Sequence, residues 1–277
     1  MDEVEGLVRQ HDQDHYLASL FAPEDKRPHL LALYAFSVEI SRIASLVHEP
    51  QLGEIRLQWW LDTLDGIYDG VAQAQPVARA LGAAIKVGDI PKHALVNLAK
   101  AHAFDFYSDA MPNLFDLEAY LGETCSSLIQ MAAMILDRDS ARECAEAAGL
   151  AGVVYGLAQV LNHLPVARRL QQNFIPAELL LGHQIPSEGL YEPGNGKAVA
   201  GLLEELLSQA KERQTQLRRG AGTIKQQVAP AFLHVTLANA MLDRAKKRGA
   251  GVLTQGCELG QLRKQWLLWR AARGSEF

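Results

Sequence analysis

The stretch Gly156 to Pro176, GLAQVLNHLPVARRLQQNFIP, decides how the chain is read. It opens as a small-residue helix that carries the amides Gln159 and Asn162 three residues apart, a spacing that sets both on one side of adjacent turns. Pro165 lacks a backbone donor and predicts a break or kink, and Arg168 and Arg169 follow it. The expectation is a helix ending in concentrated positive charge, where the helix dipole favours cations.

Upstream, Gly149, Gly152 and Gly156 lie inside the same helical pattern and not in a strand-to-helix turn, so they predict close helix packing, not a phosphate-cradling loop. Outward from there, every segment with a clear period has the helical one. Pro28 sits at a first-turn position of a long apolar run ending near Pro50, and Leu57, Trp60, Leu61, Leu64 and Tyr68 share one face of the next segment. Asp116 is the expected N-cap of a helix over about 117–136, and Ser140 with Glu143 reads as a capping box opening a helix to about His163. Ile185 to Lys197, with Gly189, Pro193, Gly194 and Gly196, is the most loop-like segment, and three long helices are expected over about 198–219, 228–248 and 255–272. The fold class is all-α with roughly ten helices, one domain over residues 1–273, and a Gly274-Ser275-Glu276-Phe277 tail that resembles a cloning remnant.

The chain has 277 residues, 48% of them hydrophobic, which is ample for a substantial core. No uninterrupted apolar run approaches the roughly 20 residues that span a bilayer, and Met1-Asp-Glu-Val-Glu is acidic, unlike a leader; the expectation is a cytoplasmic protein. Cys125, Cys144 and Cys257 are too dispersed for a disulfide framework or a zinc site, so they read as reduced thiols. Charge is asymmetric: Lys211 to Arg273 holds 13 Lys and Arg against three acids, whereas residues 1–210 hold 14 against 28. A basic final third can meet an anionic membrane surface peripherally, or can simply be solvated helix faces. Nucleic-acid binding is not expected: the net charge is −5, and the steps from Leu262 through Trp266 to Trp269 predict a core stripe. Histidines are scattered singly, which gives no support to a zinc enzyme.

Five stretches in one order carry a resemblance: DHYLASLFAPEDKRPHLLALYAF from Asp14, RLQWWLDTLDGIY from Arg56, YLGETCSSLI from Tyr120, GLAQVLN from Gly156 and FIPAEL from Phe174. Together they resemble the squalene/phytoene synthase family over most of residues 10–185. The resemblance implies an isoprenoid-synthase-type helical bundle around a central apolar cavity. It also implies condensation of prenyl diphosphates by magnesium ions held on two aspartate-rich motifs, hard cations held by charged oxygens.

Both motifs are altered. Where the family places acids, this chain has Ser41, Arg42 and Ser45 after Tyr34-Ala35-Phe36, and Val166 and Leu170 after Gln159 and Asn162. Val38 replaces an expected arginine, and Gln171-Gln172-Asn173 replaces basic residues before Phe174-Ile175-Pro176. The pattern is similar to the degenerate branch that contains the mitochondrial assembly factor for respiratory complex I. The expected protein is therefore non-catalytic, without a metal cofactor, binding an isoprenoid or lipid or a respiratory-complex subunit. The alternative is an active prenyltransferase in which arginines grip the diphosphate in place of magnesium. Candidate cavity residues are Tyr34, Arg42, Gln159, Asn162, Arg168 and Arg169, though Tyr34, like Phe36, Trp59, Trp60 and Tyr68, also fits a core position.

Overall fold

In a computed structural model, residues 3–47, 49–170, 172–186 and 189–274 are described, and among them every regular element is helical. The helix of the opening stretch, α11, runs from Ala145 to Leu170 and is the axis of the bundle, packed by helices on several sides. Its small residues explain the packing. A Cβ on Gly152 would lie 2.3 Å from the Ser126 backbone and one on Gly156 2.5 Å from Leu121, so only glycine admits the neighbouring turn; Gly149 has open space instead. By length and composition α11 could cross a membrane, but 67% of that window is buried inside the bundle, as in a core helix.

Pro165 does not end the helix. α11 continues for more than a turn, and the exposed Arg168 and Arg169 belong to its last turn and not to a segment beyond a break. Near this end two carbonyls receive donors from beyond the helix, Leu164 from the Tyr191 hydroxyl at 3.1 Å and Ala167 from the Gln172 amide at 2.9 Å.

Around this axis the first segment splits into α1 (Glu3–His11) and α2 (Gln13–Ser19), because Asp12 caps α2 by accepting the His15 amide at 3.2 Å. α3 (Arg27–Ser41), entered through Pro28, is buried almost all round, as expected of a helix apolar on every face. After α4 (Ile43–Leu46), α5 (Pro50–Tyr68) rests Gly53 on the Phe106 ring and turns Leu57, Trp60 and Leu64 inward. α6 (Pro76–Gly88) and α7 (Lys92–Ala101) lead to a 3-10 turn at His102–Phe106.

The expected helix over 117–136 is instead α8 (Leu114–Leu121), a π turn at Gly122–Ser126 and α9 (Ser127–Leu136). Its cap is Asn113, whose side chain accepts the Asp116 amide at 2.9 Å, and not Asp116. The Ser140 box also fails: Asp137 caps the short α10 (Arg138–Glu143), and a break at Cys144 precedes α11. An acid one turn earlier outcompetes the hydroxyl as acceptor. α12 (Ala177–Gly182), 3-10 turns within the expected loop, α13 (Gly196–Gly220), α14 (Val235–Arg248), the single-turn α15 (Val252–Gln255) and α16 (Gln261–Arg273) complete the chain. Gln171 and residues 275–277, on which two of the sequence readings fall, lie outside the described residues.

Trp266 and Trp269 are not core. They are 53% and 47% exposed and Leu262 82%, while Lys264 and Leu268 of the same helix face inward. Helical spacing marked the stripe correctly; burial chose the other face.

Candidate functional site

A cavity of about 590 Å³ opens between α2, the end of α3, the His102 turn and the second half of α11. Its buried interior is polar at two places. At the first, Asp14 accepts from the Tyr155 hydroxyl at 3.1 Å and from the Gln159 amide at 3.2 Å, and pairs with the Lys264 ammonium at 2.6 Å. Lys264 also contacts Glu258, which accepts from the Asn162 amide at 2.6 Å; the Asn162 carbonyl oxygen in turn receives the Cys257 amide at 2.9 Å. Gly256, at φ +59°, is what lets that strand of chain approach, since a Cβ there would lie 2.5 Å from the Asn162 backbone oxygen. Burial raises the Asp14 carboxyl despite Lys264; burial opposes the Lys264 charge, but Asp14 and Glu258 hold its pKa above the usual lysine value. Set between the carboxyl groups of Asp14 and Glu258, Lys264 is held as the ammonium.

Beside this group Asp12 binds His15 Nδ1 at 2.7 Å, and the His15 ring packs on Tyr34, Tyr155 and His234, with centroids 4.5, 5.7 and 4.0 Å away. His234 is 1% exposed with neither ring nitrogen bonded; burial, then His15, holds its pKa well below the usual value. At the second polar place His102 Nδ1 meets Asp105 at 2.6 Å, Tyr120 donates to the same carboxylate at 2.8 Å, and Gln172 donates to the Asp105 carbonyl at 2.6 Å. Burial and then Asp105 raise the Tyr120 pKa well above 10, and burial lifts Cys125 to about 11, so neither is an anion near neutrality.

Of the residues singled out in the sequence, Arg42, Gln159 and Asn162 line the cavity, together with Ser41, Ser45, Val166 and Leu170 at its mouth. Tyr34 lies beneath His15, 1% exposed, and Arg168 and Arg169 are not among the lining residues. Arg168 instead stacks over the Tyr191 ring at 5.1 Å. Asp12, Asp14, His15, His102, Asp105, Tyr155 and Lys264 were missed. Two were legible as pairs: Asp12 with His15 and His102 with Asp105 stand three apart, the spacing of neighbours on a helical turn.

The donor set at the mouth does not fit a magnesium cluster. The Ser41 hydroxyl is spent on the Val38 carbonyl at 3.3 Å and that of Ser45 on the Arg42 carbonyl at 2.8 Å; Val166 and Leu170 offer hydrocarbon. The carboxylates Asp12, Asp14 and Asp105 are each engaged by a cationic or imidazole partner. Hard divalent ions need several free charged oxygens. What remains is a half-polar pocket of hydrogen-bonding groups with an apolar side formed by Leu121, Leu128 and Val160.

This architecture belongs to a known class. The squalene/phytoene synthase family profile matches residues 8–270, and the chain is a member of that family. A dehydrosqualene synthase crystallised with ligand has a TM-score of 0.84 at 17% identity, covering 98% of this chain and 94% of its own; squalene synthase HpnC from Alicyclobacillus acidocaldarius has 0.76 at 18%, covering 89% and 92%. Among individual proteins, the chain is similar to human NADH dehydrogenase (ubiquinone) complex I, assembly factor 6: 28% identical over 242 residues, 87% of this chain and 72% of that one. The Drosophila melanogaster homolog is 28% identical over 267 residues, covering 91% and 77%.

Proposed function

We propose that this protein assists assembly of the membrane NADH dehydrogenase, respiratory complex I, without transferring prenyl groups, and that its cavity holds an isoprenoid or other lipid chain. The misfit between the mouth and a magnesium cluster carries the reading, because Ser41, Ser45, Val166 and Leu170 provide no charged oxygen. Similarity to assembly factors from human and fly supports the assembly role, through contact with complex I subunits. The arginine-clamp alternative is weakened, because Arg168 stacks on Tyr191 and Arg42 is the one arginine among the described lining residues. Incubation with labelled farnesyl or geranylgeranyl diphosphate, with and without magnesium, tests the absence of transfer: a coupled hydrocarbon with release of pyrophosphate would sink it. Loss of the assembled complex on native gels after deletion of the gene tests the assembly role.

The location consistent with this role is cytoplasmic and peripheral, on an anionic membrane. α16 supports it: Leu262, Trp266, Trp269 and Arg273 lie together opposite the buried Lys264 and Leu268. Arg270 and Arg273 sit over the Trp266 and Trp269 rings at 5.0 and 4.0 Å, and the thirteen residues of α16 include no acid. Exposed tryptophans flanked by cations suit the headgroup layer. Sedimentation with anionic vesicles should fall sharply in Trp266→Ala/Trp269→Ala. Equal sedimentation with neutral vesicles, or an unchanged variant, would remove this surface and leave an acidic protein partner as its occupant.

A further inference from the structure

We infer that the cavity selects an isoprenoid whose head is an un-ionised oxygen, a hydroxyl or a carbonyl, and disfavours the corresponding diphosphate. The inference rests on the lipid-holding reading above and deepens it by naming the head group.

Charge comes first. The lining carries four carboxylates, Asp12, Asp14, Asp105 and Glu258, against two permanent cations, Arg42 and Lys264. Lys264 is fully committed to Asp14 and Glu258. Even with both paired imidazoles, His15 and His102, counted as cations, these groups only reach neutrality, and the two other lining histidines, His11 and His163, are held below the usual imidazole value, in each case first by burial. A diphosphate would bring several negative charges beside these carboxylates, with Arg42 as the only uncommitted permanent cation among the described lining residues and no carboxylate set among those described at the mouth to hold magnesium. Burial of that charge is unfavourable here, whereas an alcohol or a ketone brings none.

Hydrogen bonding comes second. His15 and His102 each give Nδ1 to a carboxylate, which fixes the ring and leaves Nε2 for something else. Among the described residues neither Nε2 has a hydrogen-bond partner, and both rings belong to residues that line the cavity. An imidazole nitrogen held this way accepts from a hydroxyl, or in its cationic form donates to a carbonyl. Glu258, Asn162 and Gln159 are by contrast tied into the Asp14 and Cys257 network and are not free to turn.

The apolar part completes the fit. Leu121, Leu128 and Val160 line the interior, and Val166 and Leu170, 37% and 41% exposed, give the mouth a hydrocarbon rim. A volume of 590 Å³ lies within the roughly 300–1,000 Å³ of pockets that enclose one small ligand.

The test is equilibrium binding to the full chain, read by tryptophan fluorescence and calorimetry, with geranylgeraniol, a prenylated quinone of similar length, geranylgeranyl diphosphate with and without magnesium, and squalene as a headless control. The alcohol or the quinone should bind at least about tenfold more tightly than the diphosphate, with no gain from magnesium; which of the two wins identifies the oxygen. Diphosphate binding equal to or tighter than both would overturn the inference while leaving the lipid cavity standing. Squalene binding as tightly as alcohol and quinone would also overturn it, since the head would then contribute nothing. Failure of every isoprenoid to bind would overturn the cavity reading itself. Val166→Lys, at an exposed position that tolerates charge, should raise diphosphate affinity several-fold and leave the alcohol within about twofold. No change in the diphosphate would separate its binding from the charge of the mouth and overturn the electrostatic argument.

Discussion

At the mouth of the cavity Ser41, Ser45, Val166 and Leu170 are exposed and carry no charge, whereas in its interior Asp14 and Lys264 are each 4% exposed and their ionisable groups meet at 2.6 Å. Charge is absent from these four exposed positions and present where water is excluded. The difference follows from partners. A carboxylate at the mouth is useful only with a metal, while Asp14 has Lys264, Tyr155 and Gln159 around it and forms part of the fold's own wiring. Removal of a mouth residue therefore costs little, and removal of an interior one leaves a buried charge stranded.

The largest expected effect is Lys264→Met, which strands Asp14 and should lower unfolding free energy by about 3–5 kcal/mol in urea titration. Adding Asp14→Asn should recover much of it; a single-variant loss below about 1 kcal/mol would erase the contrast between interior and mouth. Gly152→Ala comes next: with the Ser126 backbone 2.3 Å from the new Cβ, overpacking should cost about 1–3 kcal/mol by the same titration, and a neutral result would break the account of the α11 packing.

The interior should also show in the pH dependence. His234 has a folded pKa well below its unfolded value, so below about pH 6.5 the unfolded chain binds a proton that the folded chain refuses. Stability is then full above that pH and falls on acidification by about 1.4 kcal/mol per unit until the folded group titrates. Burial lowers His11 and His29 with the same sign, so the informative measurement is the difference between the parent chain and His234→Phe, whose acid limb should be flatter. Parallel curves would place His234 in contact with water. Smallest of all, Val166→Asp/Leu170→Asp should alter stability by no more than about 0.5 kcal/mol per site, because both positions are exposed. A large loss there would show the mouth to be as tightly specified as the interior.

Local chemistry made much of the fold readable. Apolar periodicity placed α3, α5, α11 and α13, and the Gly152 and Gly156 packing followed from glycine inside a helix. Caps were less legible, since Asn113 and Asp137 compete with Asp116 and Ser140 and only the realised backbone decides which side chain faces an orphan amide. Pro165 shows the same limit: a proline costs the bond to the carbonyl four residues back, and the sequence does not show how deeply the bundle buries the helix that bears that cost. The mouth was legible because its residues follow motifs in sequence. The interior was not: Asp14 and Lys264 look singly like surface residues, and nothing near either announces the other. Trp266 and Trp269 were misassigned for a related reason, since a stripe at helical spacing fixes a face but not its direction.

The Asp14 to Lys264 contact joins the second helix of the chain to its last. Asp14 leaves the ribosome 250 residues before Lys264, so during synthesis its carboxylate waits, hydrated, while the helices between are made. The cavity's interior can close only when α16 docks. Closure of the cavity thus requires α16, and a chain cut short before Gln261 would leave the pocket without Lys264.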